Sequence, residues 1–136
     1  TLVRRQGNDF LTASESANLS MVERQLGDLD AADSLAREAL EICQRIGDRF
    51  TPPFLFSGLA AIALERGNDD RAATLIGAAE AHLAASNMAW PPDERPHYER
   101  TVTALTERLD AGELASARER GAALSAQEAI DFALER

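Results

Sequence analysis

Lysine is absent from this chain, so all 14 of its cationic side chains are arginine. Acidic residues number 23, which gives a net charge of −9, and the arginines are scattered among them. A nucleic-acid surface needs clustered cations, so this composition argues against nucleic-acid binding by these 136 residues. The Gly-Lys-Ser/Thr motif of phosphate-binding loops is excluded as well, because it requires a lysine.

Residues that usually carry chemistry are also scarce. Cys43 is the only cysteine, so no disulfide forms within the chain, and its place on an apolar helical face predicts a buried hydrophobic side chain. His82 and His97 fall on different predicted helices, and neither has a second ligand at metal-binding spacing. We therefore predict a protein that is not an enzyme, with no catalytic residue, no metal site and no cofactor.

Long apolar runs are missing too. None approaches the roughly 20 residues that span a bilayer, so no membrane segment is predicted. Hydrophobic residues still make up 45% of the chain, which is typical of a soluble domain with a core of its own. The 26 alanines, together with the arginines, favour helix, and the predicted fold class is all-α.

The eight glycines include two series on a common step of 40 residues. Gly7 and Gly47 form one series, with Asn87 at the next step, and Gly27 and Gly67 form the other, about halfway between. A fixed period with paired helix breakers is typical of an array of helical hairpins. Such arrays usually present surfaces to partners.

These breakers set the predicted boundaries. Residues 1–8 are the expected tail of one repeat, ending a helix that starts outside this chain, and complete hairpins follow over 9–47 and 50–87. We therefore expect a piece of a longer protein. The first helix of hairpin 9–47 has one mainly apolar side that no earlier repeat covers, and a homo-oligomer could form through this face. Its residues are Leu11, Glu15, Leu19, Val22 and Leu26.

The second hairpin opens with Pro52-Pro53 and an unusually apolar helix, which must be covered nearly all round. In both hairpins an aspartate, Asp30 or Asp70, is the predicted N-cap of the second helix. Gly77 lies in the middle of a predicted helix, where we expect it to let a neighbouring helix approach closely.

After residue 87 the period ends. Trp90 followed by two prolines predicts a fixed corner, and Asp93 is the expected N-cap of the next helix. Gly121 is expected to end a short helix over 113–120. Ser125 with Glu128 forms a capping box for the last one. Residues 93–136 thus form a predicted C-terminal helical cap.

The second hairpin carries an aromatic residue, a leucine, a small residue and later spaced alanines, as Phe56-x-x-Leu59-Ala60, Ala72-x-x-x-Ile76 and Ala79. This pattern resembles the tetratricopeptide repeat. The resemblance implies a right-handed α-α superhelix, with repeats over 1–92 and the cap over 93–136, in a single domain. The step of 40 departs from the family's 34, and Ser16 stands where the first hairpin should have its aromatic residue.

Longer stretches carry a second resemblance: 71–81, 91–95, 98–100 and 121–134. They are similar to the C-terminal end of large bacterial ATP-binding regulators, which join an ATPase module to a tetratricopeptide region and a LuxR-type DNA-binding or class III cyclase domain. This implies a cytoplasmic, non-catalytic interaction module that binds a protein or another domain of its parent. The alternatives are a small-molecule sensor, which a cavity beside Gly77 and Trp90 would favour, and an oligomerisation module.

By resemblance to other such arrays, the partner groove is the inner face formed by the first helix of each hairpin. Its side chains are Ser14, Ala17, Met21, Arg24, Phe54, Ser57, Ala61 and Leu64. The alternative is that these side chains only pack against adjacent helices.

Overall fold

A computed structural model describes the backbone of residues 2–135 and the side chains of residues 7–135. Over this range the chain forms seven helices and no strand, so the all-α prediction is confirmed. The helices are α1 (Leu2–Gln25), α2 (Leu29–Ile46), α3 (Pro52–Glu65), α4 (Asp69–Ala85), α5 (Arg95–Arg108), α6 (Ala111–Ala122) and α7 (Ala126–Leu134).

The core is centred on α3, which packs against α1, α2, α4, α5 and α7. Phe56 and Ile62 of this helix are 1% and 2% exposed. The prediction that α3 is covered nearly all round is therefore confirmed. Helices that follow one another in the chain also pack together: α1 packs against α2, and α3 packs against α4.

Left-handed residues end the helices at the predicted spacing. Gly27 and Gly67 have φ of 90° and 82°, Gly47 has φ of 74°, and Asn87 has φ of 54°. Glycine occupies this region without steric cost, and asparagine is among the few other residues that tolerate it. Each of these residues lies in the connection that follows a helix.

The predicted helix end at Gly7 is wrong, because α1 continues through this residue from Leu2 to Gln25. A glycine inside a helix costs about 1 kcal/mol, which weakens the helix without ending it. The first helix of the predicted hairpin 9–47 therefore begins earlier, and residues 2–8 belong to α1 rather than to a separate helix, while Thr1 lies outside the described residues. The step of 40 relates Gly27 to Gly67 and Gly47 to Asn87.

The N-caps of α2 and α4 lie two residues earlier than predicted. Asp28 and Asn68, rather than Asp30 and Asp70, occupy these positions, and their side chains accept the backbone N–H three residues on. Each follows a left-handed glycine directly, so the first polar residue after the turn already caps the next helix. The two aspartates lie instead in the first turn, where their charge complements the helix dipole.

The start of α5 also differs from the prediction. Glu94 stands at the N-cap position in place of Asp93, without a side-chain cap. The turn before α5 uses a backbone acceptor, since the Pro91 carbonyl accepts the N–H groups of Glu94 and Arg95. A carboxylate cap is therefore not needed here.

Two glycines lie where α4 crosses α6. A Cβ atom on Gly77 would lie 2.1 Å from the backbone oxygen of Arg118, and one on Gly121 would lie 1.9 Å from that of Thr74. The predicted close approach at Gly77 is confirmed. Gly121 does not end α6, which runs on to Ala122, because it serves this second close contact instead.

Side chains cap the last two helices. Asp110 and Glu113 form a capping box that starts α6 at Ala111, two residues before its predicted start. The capping box of Ser125 and Glu128 begins α7 as predicted. Each box satisfies two backbone donors that a helix N-terminus otherwise leaves unpaired.

The C-terminal end of α7 is bound by two arginines from distant helices. Arg37 Nη1 of α2 donates to the Leu134 carbonyl at 2.7 Å, and Arg71 Nη2 of α4 donates to the Glu135 carbonyl at 2.8 Å. The Arg71 guanidinium also lies 4.8 Å from the centre of the Phe132 ring. Carbonyls at a helix C-terminus have no partner within the helix, so α7 is joined through them to both hairpins.

Candidate interaction surface

The predicted groove is only partly open. Ala17, Met21, Arg24 and Phe54 come together around a cavity of about 40 Å³ between α1 and α3, with Glu94 beside them. Such a cavity admits about one water molecule. These four predicted residues share one site, which is too small for a peptide side chain.

The other half of the groove is covered. Ser57 and Ala61 are each 5% exposed, so the prediction that they line an open groove is wrong. Helix α5 packs along α3: Arg108 Nη1 donates to the Leu64 carbonyl at 3.1 Å, and Trp90, just before α5, meets Phe54 edge to face at 5.8 Å.

Ser14 and Leu64 lie apart from that cavity. Both are half-buried, and Ser14 is not among the residues that line the small space between α1 and α3. Because Ser57 and Ala61 are buried, the alternative that the inner-face residues pack against adjacent helices holds for these two.

Helix α1 exposes its large apolar side chains and buries its small ones. Ala13, Ser16 and Ser20 are buried towards α2, where Ser20 Oγ donates to the Ala32 carbonyl at 2.6 Å. The opposite side carries four large apolar residues, here named the α1 stripe, that are 46–76% exposed, and the exposed Glu15 lies among them: Leu11, Leu19, Val22 and Leu26. An apolar helical side normally faces a core or a partner, and in the described part of the chain nothing covers this one.

A corner of aromatic and charged side chains fixes α5 and α6 to α4. The Trp90 and Tyr98 rings stack at 4.3 Å, the Tyr98 hydroxyl donates to Glu80, and Arg118 Nε donates to the same carboxylate at 3.0 Å. The sequence predicted a fixed corner at Trp90 but not the ion pair. Glu80 and Arg118 are 38 residues apart, and no local pattern links them.

Tyr98 provides a spectroscopic test of this corner, because it is the only tyrosine in the chain. Burial and the neighbouring Glu80 carboxylate raise the pKa of its phenol to about 12. Replacing Glu80 by glutamine removes that charge, so we expect the pKa of Tyr98 to fall towards 10. Ultraviolet absorbance of the phenolate, followed against pH, measures this shift.

The matched control is Glu99→Gln, since Glu99 is exposed and binds Arg95 rather than Tyr98. It should leave the phenol titration unchanged, and an equal shift in both variants would contradict the contact with Glu80. The folded state holds the phenolic proton more tightly than the unfolded state does. This contribution to stability is therefore complete below pH 10 and is lost as the pH rises towards 12.

Reactive groups are few among the described residues. Cys43 is fully buried, as predicted, and burial together with Asp48 raises the pKa of its thiol to about 12. No group of three metal-binding side chains occurs in the described part of the chain. None of the helices described there is both long and apolar enough to cross a membrane.

A cavity of about 740 Å³ opens between α2, α3 and the start of α4. Its wall carries three arginines that already have partners: Arg37 pairs with Asp33, Arg66 with Asp30, and Arg71 binds carbonyls of α7. The backbone of α6 fills the space beside Gly77, where a cavity would have favoured a small-molecule sensor.

Comparison with known proteins finds no matching family model, no matching curated protein and no matching solved structure.

Proposed function

We propose that this chain is a non-catalytic protein-protein interaction module whose main contact surface is the α1 stripe. The observation that carries the proposal is the inverted packing of α1, which buries small side chains and exposes large apolar ones. Apolar residues at helical spacing match the way amphipathic helices dock against one another. The partner that fits is therefore an α-helical segment of a protein, with an apolar side of its own.

The finer fold we propose is a right-handed superhelix of tetratricopeptide-like hairpins, with the repeats ending near residue 92 and the cap after it. Supporting it are the left-handed residues 40 apart and the alanines at the hairpin contacts, Ala32 and Ala72, both fully buried. In such an array the α1 stripe is the side that an earlier hairpin would cover.

The parent that we propose, from the sequence resemblance, is a cytoplasmic bacterial ATP-binding signalling protein or transcriptional regulator. The partner of the α1 stripe is then a helical part of that parent or a second protein. An ATPase or output activity would belong to other parts of the parent, since the described residues offer no catalytic arrangement.

Site-specific photocrosslinking tests this proposal. A photoreactive phenylalanine derivative placed at Leu19 in cells should capture one defined protein, whereas the same group at the exposed Ala115 of α6 should not. Mass spectrometry identifies the captured protein, and its affinity is then measured with purified components. A captured second copy of this chain would identify the oligomerisation alternative.

Val22→Glu should weaken the affinity for that partner at least about tenfold, or about 1.4 kcal/mol, because it places a charge in an apolar contact. Ala115→Glu adds the same charge on an exposed part of α6 and should leave the affinity unchanged. Absence of a specific product at Leu19, or equal affinities for the two variants, would refute the α1 stripe as the contact surface.

Small-molecule sensing is the second candidate function, and the 740 Å³ cavity favours it. Pockets of this size are typical of sites for small ligands. A ligand bound there would raise the melting temperature of the protein, and Val22→Glu, which lies outside the cavity, would not change that increase.

A further inference from the structure

Most of the described arginines have an acidic partner. Ion pairs within 4 Å form at Arg37, Arg45, Arg66, Arg95, Arg108, Arg118 and Arg120. Four others, Arg24 of α1, Arg49, Arg71 of α4 and Arg100 of α5, have no carboxylate within 4 Å among the described side chains. Arg71 donates to carbonyls of α7 instead, whereas Arg24 and Arg100 lie close to each other.

Both guanidinium groups point at one imidazole. Arg100 Nη2 lies 2.6 Å from His97 Nδ1, and Arg24 Nη2 lies 3.5 Å from the same atom. A guanidinium can only donate hydrogen bonds, so Nδ1 is the acceptor. The proton of the neutral ring therefore lies on Nε2. The Gln25 side-chain nitrogen, 3.5 Å from Nε2, is also a donor, so it is not the acceptor of this proton.

Carboxylates around this cluster act on it only from beyond ion-pair distance. Burial, followed by the charges of Arg24 and Arg100, lowers the pKa of His97, and Asp93 acts weakly in the opposite direction. Burial also lowers the pKa of Arg24, with Glu65 and Glu94 partly offsetting it from beyond ion-pair distance. A partly desolvated cation without an ion pair is costly, and a bound anion would remove that cost.

We propose that Arg24 and Arg100, with His97 between them, bind a small oxyanion: a phosphate or carboxylate group at the boundary of α1 and α5. Guanidinium groups bind such oxygens through paired, charge-assisted hydrogen bonds. The side chain of Arg24 also lines the small cavity beside Met21 and Phe54, which has room for about one water molecule next to the anion.

This site is independent of the α1 stripe. Arg24 follows Val22 by two residues, so at 3.6 residues per turn it projects from the opposite side of α1. The oxyanion site and the proposed partner contact can therefore be tested separately, and the failure of one would not entail the failure of the other.

Inorganic phosphate and acetate are the probes, titrated separately at constant ionic strength into the isotope-labelled chain. Nuclear magnetic resonance of the histidine rings is the readout, and the chain has only His82 and His97. The His97 signals should shift to saturation and its pKa should rise, because a bound anion offsets the two guanidinium charges. The signals of His82, which lies against the Leu124 carbonyl, should not change.

The variants Arg24→Met and Arg100→Met should each weaken binding of the probe at least about tenfold. Arg95→Met is the matched control, since Arg95 belongs to the same helix as Arg100 but already pairs with Glu99. It removes the same formal charge and should change binding less than about twofold. If Arg24→Met proves unfolded by circular dichroism, the exposed Arg100 gives the deciding comparison.

Saturation by phosphate alone would assign a phosphate ligand. Saturation by acetate alone would assign a carboxylate ligand. Either result supports the proposal. Absence of a saturable His97 shift with both probes would overturn it. The proposal would also fail if Arg95→Met weakened binding as much as Arg100→Met, because the effect would then be one of overall charge.

Discussion

Replacing Gly121 by alanine should lower the free energy of unfolding by about 3 kcal/mol, the upper part of the usual range for overpacking. The new Cβ would lie 1.9 Å from the Thr74 oxygen and 2.7 Å from the Ala78 nitrogen. Both atoms belong to the backbone of α4, which cannot rotate away as a flexible side chain would. Helix α6 must therefore move off α4, losing the packing around Gly77 as well. Urea denaturation followed by circular dichroism measures the change.

Gly58→Ala is the matched control for this substitution. Gly58 lies inside α3, and a Cβ added there would meet no atom within 4 Å. Alanine should thus stabilise the protein by up to about 1 kcal/mol, since it favours helix and restricts the unfolded chain. If Gly121→Ala proved as harmless as Gly58→Ala, α6 would not lie against α4 at the distance described.

Phe56→Ala should cost about 4 kcal/mol of unfolding free energy, within the range found for buried phenylalanines. Phe56 lies in the second turn of α3 and is 1% exposed, and its ring meets His82 edge to face at 6.4 Å. The substitution leaves a cavity between helices that pack on α3 from several sides, so the surroundings cannot easily close it. Differential scanning calorimetry gives both the melting temperature and the unfolding enthalpy.

Phe50→Ala makes the same chemical change in a different environment. Phe50 lies in the turn before α3 and is 61% exposed, so its removal should cost less than about 0.5 kcal/mol. Equal losses in the two variants would contradict the position of Phe56 at the centre of the core.

Gly7 and Gly47 show how far the sequence alone can predict this fold. Both glycines precede an acidic or amide residue, yet only Gly47 ends a helix. There the Asp48 carboxylate accepts the N–H groups of Phe50 and Thr51 at 2.8 and 3.2 Å, and Pro52 begins a new helix. No proline follows Gly7 within α1, so nothing prevents the helix from continuing. A breaker ends a helix only when the residues after it support the turn.

The sequence also predicts only part of the candidate interaction surface. The α1 stripe could be predicted, because residues 11, 19, 22 and 26 share one side of any helix that contains them. The burial of Ser57 and Ala61 could not, since it depends on which other helices pack against α3. The grouping of Arg24 with Arg100 around one imidazole likewise depends on how α1 and α5 meet.

The two arginines that hold the end of α7 determine how the chain unfolds. The contact between Arg37 and Leu134 joins residues 97 positions apart, so most of the chain lies inside the loop that it closes. Simple stacks of hairpins have contacts only between neighbours and can lose one unit at a time. Here the last helix is bonded to α2 and α4 together, so neither hairpin can melt without releasing it. Unfolding is thereby expected to be a single cooperative transition, with α7 docking late in folding because its contacts are the most distant in sequence.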